Sequence, residues 1–495
     1  MNFFKKQAKQ IDVESIKKQL SNSPDLVNRT VTVGNKTIEL YFLKNLVNRI
    51  SIEKNIISFL NNSTSEEINL NYLFEHLPIT EVKELVETND ISKYILDGFT
   101  FIYLPSEKKG LFAGVGDPVE RSLEKAETES LVYGPKISFT ESLSTNIKVL
   151  RHNVSNPNLV TDEIILGERV KQKVRIVYLN DIVDPELVTS IKDRLNNIEI
   201  DDIMDSSVLA QFLDDNPYSF FPQYLMTELP DRVIYSINNG RVAIFVDRSP
   251  TAVICPSTFF SFFETTEDVY LRWILSTVLR WLRMIAMVLS IFFTAIYVAA
   301  VTFHYEVIPS RLLVTLGQSR AQIPFPPILE ALLLEIMIDL LREAGARLPS
   351  KVAQTMGIVG GIVLGQAMVE AGLTSNILII VVALSALSSF TAPSYEMGTA
   401  IRILRFPIII LAGVWGFNGI IIGVCFLLTH LLKLTSMNTP YLAPLYPFNS
   451  MDLKYFLFKL PKEFYINRPL TNQTLDKRRL IAKKEKSDRD IDDEM

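Results

Sequence analysis

The chain has 495 residues, 48% hydrophobic and 21% charged, with a formal net charge of -5. It is too long for one compact core, too charged to lie in a membrane throughout, and without the basic excess that marks a nucleic-acid binder. Two cysteines, Cys255 and Cys425, sit on either side of several apolar segments and frame no disulfide network.

In chain order, the first 265 or so residues read as soluble and globular, apolar runs dominate from Met284 to Leu432, and the remainder is polar again. The start, MNFFKKQAKQIDVE, has basic residues with no apolar run behind them, which predicts no cleavable signal peptide and a first domain in the cytosol. Short apolar runs alternating with helical patterns make this region α/β. Phe99 to Leu104 and Lys173 to Leu179 read as strands, the second followed by Asp184-Pro185 and a helix through Leu195. Arg241 to Val246 and Thr251 to Cys255 read as a hairpin around Ser249-Pro250. Residues 1–150 and 160–256 are two expected subdomains, with the polar stretch Arg151 to Thr161 as their connection.

Residues 266–283 carry Arg272, Arg280 and Arg283 on one helical face, with Ile274, Val278 and Leu282 opposite and Trp273 and Trp281 between. This pattern predicts an interfacial linker helix before a span at Met284 to Phe303, with its amino-terminal side in the cytoplasm; a soluble helix packed on the first domain is the alternative. Further spans are expected at Val352 to Val369, Ile377 to Phe390 and Phe406 to Leu432, within a transmembrane domain of residues 284–432 holding four to six membrane segments. Five crossings would leave the basic DKRRLIAKKEK tail outside. A hairpin broken at Asn418-Gly419, or a charged helix that lies flat or re-enters, removes that conflict. Residues 433–495 read as a polar, partly disordered tail.

The unusual segment is the charged helix 324–349, PFPPILEALLLEIMIDLLREAGARLP. At roughly +2.5 to +3.5 kcal/mol for each Asp, Glu or Arg near a bilayer centre, four unpaired charges would cost on the order of 10 kcal/mol. The segment must therefore face protein, water or headgroups. With about 100° per residue, Glu335, Asp339, Arg342 and Glu343 share one third of the circumference and Glu330 lies nearly opposite. The next segment carries Gly357, Gly361 and Gly365 at intervals of four, a flat stripe for close helix packing or for open volume along a pore, with Gln366 and Glu370 extending its polar side.

No catalytic constellation emerges, and the sequence predicts a protein that is not an enzyme and carries no cofactor or metal. His76, His152, His304 and His430 are scattered, Gly114-Val115-Gly116 does not extend to a dinucleotide fingerprint, and no phosphate-binding GK[ST] loop is present.

Several long motifs in one order carry a resemblance. ESLVYGPKISFTESLSTNI (Glu129 to Ile147), DNPYSFFPQ (Asp215 to Gln223), GRVAIFVD (Gly240 to Asp247), the charged helix itself and IRILRFPIIILAG (Ile401 to Gly413) resemble the A subunit of the GerA-type spore germinant receptors. The resemblance runs from about residue 80 to 435 and is weak before it. It implies a multi-pass protein of the inner spore membrane, its first domain facing the spore core, working with a transporter-like B subunit and a lipoprotein C subunit. It further implies self-association, expected as a pentamer, into a nutrient-gated channel for monovalent cations that starts germination. A non-conducting signalling scaffold, or the related sporulation-protein paralogue that amplifies ion release, are the alternatives. Under the channel reading, Glu335, Asp339, Arg342 and Glu343 form a vestibule, and the helix of Gly357, Gly361, Ile362, Gly365 and Gln366 lines the pore.

Overall fold

The computed structural model describes residues 20, 23–64, 67–85, 90–117, 126, 129, 133–349, 352, 360–361, 363 and 365–479. Gly357 and Ile362 lie outside them. The chain divides into two compact units: residues 1–214, 226–256 and 462–495 form the first, and residues 215–225 and 257–461 the second.

The first unit holds two five-stranded sheets. In one, β1 (Leu26–Val33), β2 (Lys36–Leu43), β3 (Val82–Glu84), β4 (Phe99–Leu104) and β5 (Lys109–Gly114) lie in the order β1-β2-β4-β5-β3, paired antiparallel. Alternation along β2 divides its core. Ile38, Leu40 and Phe42 pack with Ile52, Ile56 and Leu60 on one face, while Tyr41 and Leu43 pack with Phe101, Ile91 and Ile95 on the other.

The second sheet contains β6 (Leu159–Leu166), β7 (Gln172–Leu179), β8 (Leu225–Thr227), β9 (Val242–Val246) and β10 (Ala252–Cys255), ordered β6-β7-β9-β10-β8. β9 and β10 form the hairpin expected around Ser249-Pro250, with Phe245 opposite Ala252. Asp184 caps the Pro185–Asn196 helix through its side chain, with proline in the first turn, the pattern that marked this helix in the sequence. Asp205 caps Ser206–Leu213 in the same way and also accepts from the Ser249 hydroxyl, tying helix to hairpin. Burial pushes the Asp205 carboxyl upward, but the bonds from Ser207, Ser249 and the backbone outweigh it and hold the group below the usual carboxylate range.

The stretch Arg151 to Thr161 is not an open connection. The helix Leu143–Val154 runs through Arg151, and β6 already includes Leu159 to Thr161. Arg151 is drawn inward by Asp25, with Nη2 donating to Oδ1 at 2.7 Å and Nε to Oδ2 at 3.0 Å, and by the Ser23 hydroxyl at 2.8 Å. The first residue of the polar run is thus half of a buried ion pair, and the connection itself shortens to residues 155–158.

The second unit is helical. Trp273–Thr302 is one helix of 30 residues, followed by Ser310–Arg320, the charged helix Pro327–Ala346, Asn376–Ser389, Tyr395–Trp415 and Phe417–Lys433. Residues 365–370 are also helical. Two helices, Trp273–Thr302 and Tyr395–Trp415, are long and apolar enough to cross a membrane. At a 1.5 Å rise, 30 residues span about 45 Å, more than a hydrocarbon core of about 30 Å.

Two expectations are corrected here. Residues 266–283 are not a separate linker helix: a short turn of helix, Glu267–Tyr270, precedes a single continuous helix that starts at Trp273. Two of its three arginines pair within the unit: buried Asp268 accepts from Arg280 Nη2 at 3.2 Å and Arg283 Nη2 at 2.6 Å, while Arg272, Ile274, Val278 and Leu282 stay exposed. The Phe406 to Leu432 run is broken two residues before Asn418, at Gly416, whose φ of 59° suits glycine. Behind the break the two helices lie so close that a Cβ at Gly423 would come within 2.4 Å of Ile408 Cδ1.

The polar tail, finally, is ordered through Arg479. Thr435–Ser436 pairs with Thr439–Pro440, Asn449 caps the helix Ser450–Leu457, and Tyr441 and Phe456 are buried against aromatic rings. Residues 480–495 lie outside the described ones.

Candidate functional site

The helices of the second unit meet at the charges that the charged helix carries inward. Glu335 is 0% and Arg405 1% exposed in their side chains, and Arg405 Nη1 donates to Glu335 Oε2. The other carboxylate oxygen accepts from the Thr294 hydroxyl at 2.8 Å. Arg405 spends its remaining donors on Ser290, with Nε to the carbonyl and Nη2 to the hydroxyl, both at 2.8 Å. Ser385 donates to the same carbonyl at 3.0 Å. Four helices are thereby fixed to one another by a network in which both carboxylate oxygens and all three guanidinium nitrogens are used. A charge held in this way is tolerable in an apolar bundle, whereas a lone one is not.

One turn and a half earlier, Glu330 is also buried. Its Oε1 accepts from the Ser375 backbone N–H at 2.6 Å and the Thr374 hydroxyl at 3.1 Å, at the start of the Asn376–Ser389 helix. Arg320 Nη2 stands 3.6 Å from Oε2. The opposite end of the charged helix reaches the end of the same neighbour: Arg342 Nη2 donates to the Ser389 hydroxyl at 2.8 Å, and its guanidinium stacks over Phe390 at 4.2 Å. Asp339 Oδ1 lies 3.9 Å from Arg342 Nη1, beyond hydrogen-bonding distance. Glu343 pairs with Arg347 at the surface.

The four residues that share one stripe of the charged helix therefore part company. Glu335 is sealed inside, Arg342 and Asp339 are partly buried, and only Glu343 is exposed. Gly361 and Gly365 look into open space, with no atom within 4 Å of a Cβ at either, while a Cβ at Gly360 would lie 3.0 Å from Leu341 of the charged helix. Gln366, exposed, donates to Glu370 at 2.9 Å. No cluster of potential metal ligands occurs among the described residues. Sequence reading missed Arg405 as the partner of Glu335, and with it Ser290, Thr294 and Ser385. The available signal was that each is a polar residue inside an apolar helix.

Two five-stranded sheets with their helices, and a helical unit whose buried Glu335 is paired within it, define a two-part protein with a sheet-bearing body and a helical bundle. A family model described as Bacillus/Clostridium GerA spore germination protein matches residues 14–471. Spore germination protein GerQA of Bacillus cereus is 40% identical over 463 residues, 93% of this chain and 92% of that protein. Spore germination protein GerIA of Bacillus cereus is 45% identical over 393 residues, 79% of this chain and 59% of that protein. Spore germination protein A1 of Bacillus subtilis (strain 168) is 36% identical over 455 residues, 91% of this chain and 94% of that protein. The crystal structure of the N-terminal domain of the A subunit of the Bacillus megaterium spore germinant receptor GerK3 overlaps at 24% identity, covering 51% of this chain and 96% of that one, with a TM-score of 0.40, too low to define a shared fold. The chain belongs to the GerA family of spore germination proteins, as an A subunit of a spore germinant receptor.

Proposed function

We propose that this A subunit works in the inner spore membrane beside a transporter-like B subunit and a lipoprotein C subunit, and associates with copies of itself, as a pentamer, into a nutrient-gated channel for monovalent cations. The observation that carries the channel reading is the unfilled face at Gly361 and Gly365, beside exposed Gln366 and Glu370. A helix with one side against Leu341 and the other against nothing suits a wall completed by a second copy or by the permeating ion. Glu335, enclosed and neutralised by Arg405, acts in this reading as the lock that holds the bundle, and the vestibule falls to Asp339, Glu343 and their arginines.

The pairings within the helical unit also support an even number of crossings. Glu330 meets Ser375 where two helices begin, Arg342 meets Ser389 where the same two end, and His304 lies 4.8 Å from Phe417 at the far end of the bundle. The break at Gly416 adds a crossing to the five first counted. Beyond the bundle, Arg468 Nε donates to the Asn238 carbonyl at 2.8 Å and Leu475 N–H to that of Ile182 at 2.9 Å. The tail thus rejoins the unit that contains the start of the chain, and six crossings put both ends on the core side, as the positive-inside rule requires of its basic cluster.

Gly361→Val tests the channel. No described residue obstructs the added side chain, so the variant should insert and accumulate like the parent. Planar-bilayer conductance and cation release from spores should fall sharply. Unchanged conductance and release would remove this face from the permeation path.

A further inference from the structure

The apolar exposure of the second unit does not stop where the long helix begins. Trp281 is exposed on the membrane-type face of Trp273–Thr302, its ring 6.2 Å from exposed Phe458 and its indole N–H bonded to the Leu457 carbonyl at 3.0 Å. Lys459 N–H donates to the Thr277 hydroxyl at 3.0 Å, and Arg280 Nη1 to the Phe456 carbonyl at 2.6 Å. The segment that ends the bundle is therefore held against the first turns of the helix that starts it. Within it the faces are sorted. Phe456 and Asp452 point inward, while Met451, Lys454 and Phe458, at positions i, i+3 and i+7, point outward. The preceding turn exposes Tyr446 by 58% and Phe448 by 71%, which is a large apolar surface for a segment that is otherwise polar in composition.

We infer that residues 446–459, together with the first turns of Trp273–Thr302, form a belt that lies in the phospholipid headgroup layer and anchors the end of the bundle along the membrane surface. The inference rests on the membrane-spanning reading above. Three features select lipid over a protein partner. The exposed face is continuous, through the contact of Phe458 with Trp281, with Ile274, Val278 and Leu282 of a helix that fits a bilayer. Tryptophan and tyrosine are the residues that prefer the boundary between hydrocarbon and water, and phenylalanine beside them reaches into the acyl layer. Exposed Lys454 stands among them as a cation for lipid phosphate.

The test uses the full-length chain in vesicles of phosphatidylglycerol and phosphatidylcholine, with Cys425→Ser to leave only buried Cys255, and an environment-sensitive fluorophore on Phe448→Cys. A second preparation carries the fluorophore on Val288→Cys, an exposed position further along the long helix. The expected result is blue-shifted emission at position 448, lost on brominating lipids near the headgroup and little affected by aqueous iodide, with position 288 quenched instead by bromines deeper in the chain. Quenching of position 448 by iodide and not by bromolipid overturns the belt, as does protection from both, which would mean a protein covers it. If position 288 reports lipid in those cases, the spanning reading survives; if neither position reports lipid, both readings fall together.

Discussion

The two units each bury one arginine–carboxylate pair to the same degree, 1% and 0% exposed, and they do so for different reasons. Arg151 and Asp25 join through two parallel bonds, with Ser23 completing the set, at the end of a helix and the entry to a sheet whose cores are already apolar. Their alternative is water, where each ion is fully solvated, so the pair adds little net stability and chiefly fixes which surfaces meet. Arg405 and Glu335 share only one direct bond, and the rest of their capacity goes to Ser290 and Thr294 on a third helix. In a membrane, apolar surface gives helices little reason to associate with one another rather than with lipid. A polar network at the crossing of several helices then supplies both the attraction and the register.

Breaking the Glu335–Arg405 pair should have the largest effect. Glu335→Ala strands a buried guanidinium, with a cost of about 3–5 kcal/mol, and should abolish recovery of a folded, detergent-stable chain; Arg405→Met added to it should restore much of the loss. A single variant that remains as stable as the parent would refute the lock. Asp25→Ala should follow, at about 3 kcal/mol in urea unfolding of the soluble unit within the full chain. Burial already lowers the basicity of Arg151, against the pull of Asp25, so losing the carboxylate leaves that burial uncompensated. The contrast between the units lies in rescue: Asp25→Leu with Arg151→Met should recover stability and keep the fold, whereas the Glu335→Ala, Arg405→Met double variant should recover stability with poorer helix register, read as broader thermal unfolding of the helical unit.

Asp205 gives a smaller effect with a definite pH dependence. Its carboxyl is held below the usual range in the folded chain, so its contribution is fully present above the unfolded value of about 3.9 and is lost as pH falls through the lower folded value. Asp205→Asn keeps the cap but loses the charge, so it should unfold more easily than the parent at neutral pH by about 0.3–1 kcal/mol, and the two should converge in strongly acidic solution. Parallel unfolding curves down to the lowest pH would show that Ser249 and the helix cap do not depend on the charge.

Much of this was legible from residue patterns. The strand Gln172–Leu179, the hairpin Val242–Cys255 and the proline-led helix after Asp184 follow from local apolar runs and caps, and such signals survive folding because they are local. The charged helix was legible as an anomaly but not as a network, since Arg405 lies 70 residues from Glu335 and nothing along the chain pairs them. The same holds for Arg151 and Asp25, 126 residues apart, where a polar composition suggested a connection. On the helix Trp273–Thr302, Ile274, Val278 and Leu282 are exposed, while Arg280 and Arg283 turn to Asp268, a partner that lies outside the helix. Long-range charge pairing is what sequence periodicity does not contain.

The smallest prediction sharpens the comparison from its other side. Glu343 lies on the same helix as Glu335, two turns on, and pairs with Arg347 with both side chains largely exposed, 60% and 78%. An exposed pair four residues apart on a helix contributes about 0.3–0.5 kcal/mol, because water solvates each partner nearly as well as the other does. Glu343→Gln should leave stability and assembly at parental levels, whatever its effect on conduction. That separation makes it a clean probe of the proposed vestibule: a change in cation selectivity with unchanged assembly would mean that the exposed end of the charged helix meets ions, and selectivity identical to the parent would confine the helix to holding the bundle together.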